Sequence, residues 1–161
     1  MVEYVNAHYL SKKDLALVKD LVQFILEKFF TKKRRSQLKI QISFKKNLLK
    51  KRHQLANCIW QDTHIRPKEF QIQVDINQKI GLILNSIAHE MTHVKQWTKG
   101  EFYQQMRRPE IYMFKKSRID TSKTDYWDYP WEIEAHGRGI GLVCQWYAAR
   151  DHDNEDLLEV K

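Results

Sequence analysis

Residues 70–100 read FQIQVDINQKIGLILNSIAHEMTHVKQWTKG, and two hydrophobic periods meet inside this stretch. Phe70, Ile72, Val74 and Ile76 alternate with Gln71, Gln73 and Asp75, the period expected of a half-buried strand. Asp75 and Asn77 then supply turn and cap chemistry. Beyond them Ile80, Leu84, Ile87, Ala88, Met91 and Val94 recur at helical spacing, with Ile83 alongside. That pattern predicts a helix from about Gln78 to Trp97, and Gly100 suits its C-terminal end.

Working outward, Ser11 and Asp14 form a capping box ahead of Leu15, Val18, Leu21, Val22, Ile25, Phe29 and Phe30. This predicts an amphipathic helix that ends near Thr31 and covers one side of the core. Leu38, Ile40, Ile42 and Phe44 alternate as a second strand, and Leu55 to Trp60 form a weaker third. The order predicts a small, mostly antiparallel sheet, with a long hairpin joining the strands at 38–44 and 55–60. From Glu101 to Tyr129 the pattern is poor: Tyr112 and Phe114 fit a short strand, and Lys115 to Asp125 reads as a polar loop. Pro130 suits the first position of a last helix reaching about Ala149. Its glycines at 137, 139 and 141 each lower helicity by about 1 kcal/mol relative to Ala, which close packing on another helix would offset. The expectation is one α+β domain over residues 1–150, followed by an acidic, flexible tail over 151–161.

Composition narrows the function classes. The chain has 161 residues with only five Gly and three Pro, which excludes collagenous and linker-rich proteins. A chain of this length buries roughly 70% of its unfolded surface, enough for one hydrophobic core. Cys58 and Cys144 make no disulfide framework, so a reducing, cytoplasmic setting is the expectation. There is no apolar leader and no run long enough to span a membrane. No repeat, linker or oligomerisation signal is present, and a monomer is expected. The net charge is +8, unevenly placed: residues 31–52 hold ten basic residues and no acidic one.

The chemistry is concentrated in His89-Glu90-Met91-Thr92-His93, an HExxH motif. On a helix the two histidines lie one turn apart on one face, so both imidazoles reach one metal ion. Glu90, rotated by roughly 100°, stands beside that ion as a base for metal-activated water. A zinc ion suits the set, since it lowers the pKa of its water and polarises a carbonyl. These polar residues interrupt an apolar helix, and burying them without purpose would cost desolvation energy.

A catalytic zinc takes three protein ligands and keeps one position open. The third comes from residues 126–136, YWDYPWEIEAH. Glu132 and His136 share a helix face, whereas Glu134 points elsewhere. Glu132 is the leading candidate, with His136 supporting a ligand or contacting substrate. Glu134 and His136 stand as alternative ligands, and Glu132 as a plain N-terminal helix acid is the non-metal reading.

HExxH followed after a long insertion by a helix carrying Glu-x-x-Ala resembles the gluzincin group of zinc metallopeptidases. Within it the chain is most similar to small metallopeptidases encoded by bacteriophages, through Leu84–Gln96, Tyr126-Trp127, Pro130–Ala135 and Gly137-Arg138. The likeness covers residues 68–97 and 126–147. It implies a minimal zincin-like domain in which a small sheet packs on the motif helix and a third-ligand helix. By position it makes His89, His93 and Glu132 the ligands of one Zn2+ and Glu90 the general base. It implies hydrolysis of a peptide or protein substrate, in the host cytoplasm if the gene is a phage's. It also implies that the strand before the motif helix, Phe70 to Asp75, lies at the cleft edge and pairs with an extended substrate. The position four residues after Glu132, where the group often has Asp or Asn, holds His136. Tyr126, Tyr129, Arg138 and His136 are candidates to stabilise a developing oxyanion, with Tyr129 and His136 carried forward beside Glu90. Trp131 reads as core or cleft wall.

Two other readings compete. Lys32, Lys33, Arg34, Arg35, Lys39, Lys45, Lys46, Lys50, Lys51 and Arg52 have the composition of a phosphate-tracking surface for nucleic acid. Their plainer reading is a solvated sheet edge and hairpin. The SprT-like proteases, which act on DNA-bound proteins, join both features, but they generally use a third histidine at shorter range than His136. The other reading is a zincin-fold binding protein without activity, against which the intact Glu90 argues.

Overall fold

In a computed structural model, which describes residues 1–150, the chain folds as an α+β arrangement of five helices and two small sheets. The strands are β1 (Val2–Val5), β2 (Lys39–Lys45), β3 (Ala56–Trp60), β4 (Glu69–Asp75), β5 (Phe102–Gln105), β6 (Arg108–Phe114) and β7 (Ser117–Asp120). The helices are α1 (Lys12–Phe29), α2 (Lys32–Gln37), α3 (Leu48–Arg52), α4 (Ile80–Lys99) and α5 (Pro130–Arg150). The tail expected over 151–161 lies outside the described residues.

The first sheet runs β1-β2-β4-β3, and its pairing corrects the expected topology. β1 and β2 are parallel, β2 and β4 are parallel, and only β3 runs antiparallel, against β4. The sheet is therefore mixed and mostly parallel, and no hairpin joins β2 to β3. Burial explains the order. Phe70, Ile72 and Val74 are all at most 3% exposed, so β4 takes a central place. β3, whose Ile59 and Trp60 remain partly in water, is left at the edge. Consequently the strand at 70–75 is not the cleft edge; β3 is.

One face of this sheet is dry and the other is polar. Ile40, Ile42, Phe44, Phe70, Ile72 and Val74 join the buried sides of α1 and α4 in the core. On the opposite face Gln41 donates to Glu3, Gln71 to Gln41 and Gln73 to Gln71, a row of amides across β1, β2 and β4. The alternation thus has the orientation read from the sequence.

Local signals act where expected. The Ser11 hydroxyl accepts the Asp14 amide at 3.0 Å and donates to the Asp14 carboxylate at 2.7 Å, starting α1. Gly100 ends α4 at φ 68°, a left-handed cap that favours glycine. Asp75 accepts from the amides of Asn77 and Leu49, tying the end of β4 to α3; it makes the turn, while the residue that caps α4 is Lys79.

The segment 101–129 is more ordered than its pattern predicts. β5, β6 and β7 form an antiparallel meander, so Lys115 to Asp125 is not simply a loop. Its β6–β7 turn places Lys115 and Lys116 at φ 46° and 75°, a left-handed pair that sequence rules reserve for Gly and Asn. The basic run 31–52 is likewise no edge hairpin. It becomes α2, central strand β2 and α3.

Candidate metal centre

α4 and α5 approach closely at one point. A Cβ on Gly139 would lie 3.3 Å from the His89 amide nitrogen and 3.4 Å from the Asn85 side-chain oxygen. Gly139 therefore meets the expectation of close helix packing. Gly137 and Gly141 do not, since a Cβ on either would meet nothing within 4 Å.

That contact brings the motif against the first turn of α5. His89 and His93 point the same way, with their Nε2 atoms 3.1 Å apart. Glu132 places Oε2 at 3.4 Å from His89 Nε2 and Oε1 at 3.4 Å from His93 Nε2. Donors bound tetrahedrally at about 2.0–2.1 Å from a zinc ion sit about 3.3–3.4 Å from one another. The two histidine–carboxylate separations equal that edge length, each to a different oxygen of Glu132, and the Nε2–Nε2 separation is slightly shorter, so the set is compatible with one ion. His136 is exposed and packs its ring on His89 at 4.4 Å; the donor atoms of His89, Glu132 and His136 lie within 4.8 Å of one another, as do those of His89, Glu90 and His93.

Buried partners orient the donors. The amide nitrogen of Gln96 donates to the Trp131 carbonyl at 3.0 Å and to Glu134 at 3.2 Å. This turns its carbonyl oxygen to His93 Nδ1, 2.8 Å away, so Nδ1 carries a proton and Nε2 is the ring atom held towards the site. Gln96 was not singled out by sequence; its signal is a fully buried polar residue one turn beyond His93. Glu134, an alternative ligand, faces away from the histidines. It is bound by Lys95, Lys115 and Arg138 as well as Gln96. Burial works to raise its carboxyl, but these donors outweigh it and hold the pKa near 2.

The remaining groups divide by position. Glu90 is 6% exposed, and burial, helped by the charge of Glu132, pushes its carboxyl up to about 7 against the opposing influence of His93. Burial also works to raise Glu132, yet hydrogen bonds from His89, His93 and Tyr126 hold it well below the usual carboxylate range. The Tyr126 hydroxyl donates to Glu132 at 2.9 Å. The Tyr129 hydroxyl donates instead to the Thr121 carbonyl at 3.3 Å, and its ring stacks on Trp131 at 4.6 Å. Of the oxyanion candidates Tyr126 therefore touches the centre, His136 packs on His89, Tyr129 lies in the wall beside Trp131, and Arg138 is engaged with Glu134.

These groups open into a cavity of about 410 Å³ between α4, the edge strand β3 and the second sheet. Cys58 of β3 lines it close enough to Glu90 for that carboxylate, after burial, to raise the thiol's pKa. Trp60, Trp97, Phe102 and Tyr112 give one end an aromatic lining. No protein-family profile, curated protein or solved structure matches this chain. Among the described residues no helix is long and apolar enough to cross a membrane.

Proposed function

We propose that this protein is a zinc-dependent peptidase of gluzincin type on a minimal zincin-like domain, with His89, His93 and Glu132 holding the ion. The observation that carries the reading is the convergence of the two histidine Nε2 atoms, 3.1 Å apart, on the Glu132 carboxylate, each 3.4 Å from one of its two oxygens, flanked by a buried glutamate in an open cavity. Bound there, zinc would act as a Lewis acid on a carbonyl and lower the pKa of a water.

The chain's own residues do the rest. Glu90 takes a proton from the attacking water on its carboxylate and returns it to the leaving amine nitrogen. Burial favours a carboxyl that cycles in this way near neutral pH. The Tyr126 hydroxyl, already beside Glu132, is the donor best placed for negative charge developing on the carbonyl oxygen. His136 packs on His89 and limits its rotation. The free side of β3 offers main-chain hydrogen bonds to an extended polypeptide.

The test is zinc analysis and cleavage of a denatured protein by wild type and Glu90→Gln. The expected result is one zinc per chain in both and a loss of about 10²–10⁴-fold in rate for the variant. A chain without zinc, or a variant of undiminished rate, would overturn the reading.

A further inference from the structure

The basic run 31–52 folds into two separate patches. β2 carries α2 at its start and α3 at its end, and its seven residues hold them roughly 20 Å apart. Between them lies the neutral glutamine face, so no continuous basic track crosses the sheet. This breaks the geometry that a duplex or a long single strand would follow.

The patch at α2 gains partners from far along the chain. The 61–68 connection between β3 and β4 is braced by Asp62, whose carboxylate accepts the amides of His64, Lys68 and Glu69 at 2.7–2.9 Å. So braced, the loop faces α2 across an open cleft of about 610 Å³ lined by Arg34, Thr63, His64, Ile65, Arg66 and Lys68. The Arg34 guanidinium is fixed by two neutral acceptors, the Thr98 carbonyl and Gln37, and forms no ion pair among the described residues. Among the described residues Arg66 and Lys68 form no ion pair and no carboxylate lines the cleft.

The cleft lies beyond the end of the candidate active site. β3 leads from Cys58, beside Glu90, to Trp60, which stacks on Trp97 at 4.2 Å, and then directly into the loop. A polypeptide paired along β3 reaches the cleft about three to five residues from the reacting bond, at about 3.3 Å per residue. We propose that this cleft binds acidic side chains of the polypeptide substrate and so selects chains with Asp or Glu at that distance from the cut. The inference rests on the peptidase reading for its outcome, although the binding itself needs no zinc.

The experiment follows labelled hexaglutamate by fluorescence anisotropy with the full chain. Binding is expected to weaken with salt, and to fall at least tenfold in Arg66→Ala/Lys68→Ala while staying within twofold in Lys50→Ala/Lys51→Ala at α3. A thermal melt of each variant separates lost binding from lost folding. Equal binding by both variants would overturn the proposal. So would a single-stranded oligothymidylate that depends on Arg66 and Lys68 while hexaglutamate does not, which would assign the cleft to nucleic acid. In parallel, zinc-loaded wild type should cut a peptide with Asp at those positions at least tenfold faster than its Ala counterpart; equal rates would refute the selection. If no peptide is cut but hexaglutamate binding still depends on Arg66 and Lys68, the peptidase reading fails and the acid-binding cleft stands.

Discussion

Glu132 and Glu134 lie two residues apart on α5, about 200° around the helix from each other. Both carboxyls are held below their ordinary range despite burial, but by different kinds of partner. Glu132 meets two imidazoles and a phenol, groups that can all be neutral. Glu134 meets Lys95, Lys115 and Arg138, which are basic side chains. One carboxylate is left with charge for something that arrives; the other is neutralised within the fold. A lowered pKa alone does not separate a binding site from a structural brace, whereas the chemistry of the partners does.

The sharpest way to break this contrast is to remove each carboxylate and count zinc. Glu132→Ala should lose tight zinc, with affinity falling by more than about 100-fold, beyond the range seen for outer partners. Glu134→Ala should keep one ion per chain. Retained tight zinc in the first variant would refute the ligand assignment, and lost zinc in the second would reinstate Glu134. Gln96→Ala leaves all three donors but frees the His93 ring, so zinc affinity should fall about 10–100-fold, measured by chelator competition.

Glu134→Gln should act mainly on folding, costing about 2 kcal/mol in denaturant titrations at neutral pH, because buried Lys95 then keeps only Glu101 among the described residues. The sign of its pH dependence is fixed. A carboxyl whose folded pKa is near 2 stabilises the fold above the ordinary value of 4.5, and that contribution fades as pH falls from 4.5 towards 2. The stability gap between wild type and variant should therefore narrow between pH 5 and pH 3; a constant gap would mean the loss comes from packing. The glycines give effects of opposite sign. Gly139→Ala presses on the His89 backbone and should destabilise by about 1–3 kcal/mol, whereas Gly141→Ala should stabilise by up to about 1 kcal/mol.

What could be read in advance follows the range of the forces. Ser11, Gly100 and Pro130 act within a turn of their own position, and they bound their helices as predicted. The donor set was legible for the same reason: His89 and His93 are fixed by helical spacing alone. Glu132 was harder, because only the approach of Gly139 to His89 brings α5 alongside. Strand order was not legible. β4 could pair with β2 or β3 equally well by pattern, and it pairs with both, so the choice depends on which strand gains most from burial. Gln96 escaped notice because its value lies in the Trp131 carbonyl and Glu134, both more than thirty residues away. The Lys115–Lys116 turn carries no glycine to announce it.

The tie between α1 and α5 has a consequence in time. Asp20 accepts from Trp146 and pairs with Arg150, contacts that bridge 126 and 130 positions of the chain. A polypeptide emerging from the ribosome thus holds His89, Glu90 and His93 well before Glu132 exists, and before Trp146 arrives to seat α5. The histidine pair can fold early without a complete donor set. Under the proposed activity, a nascent chain that ends before Glu132 lacks the complete donor set.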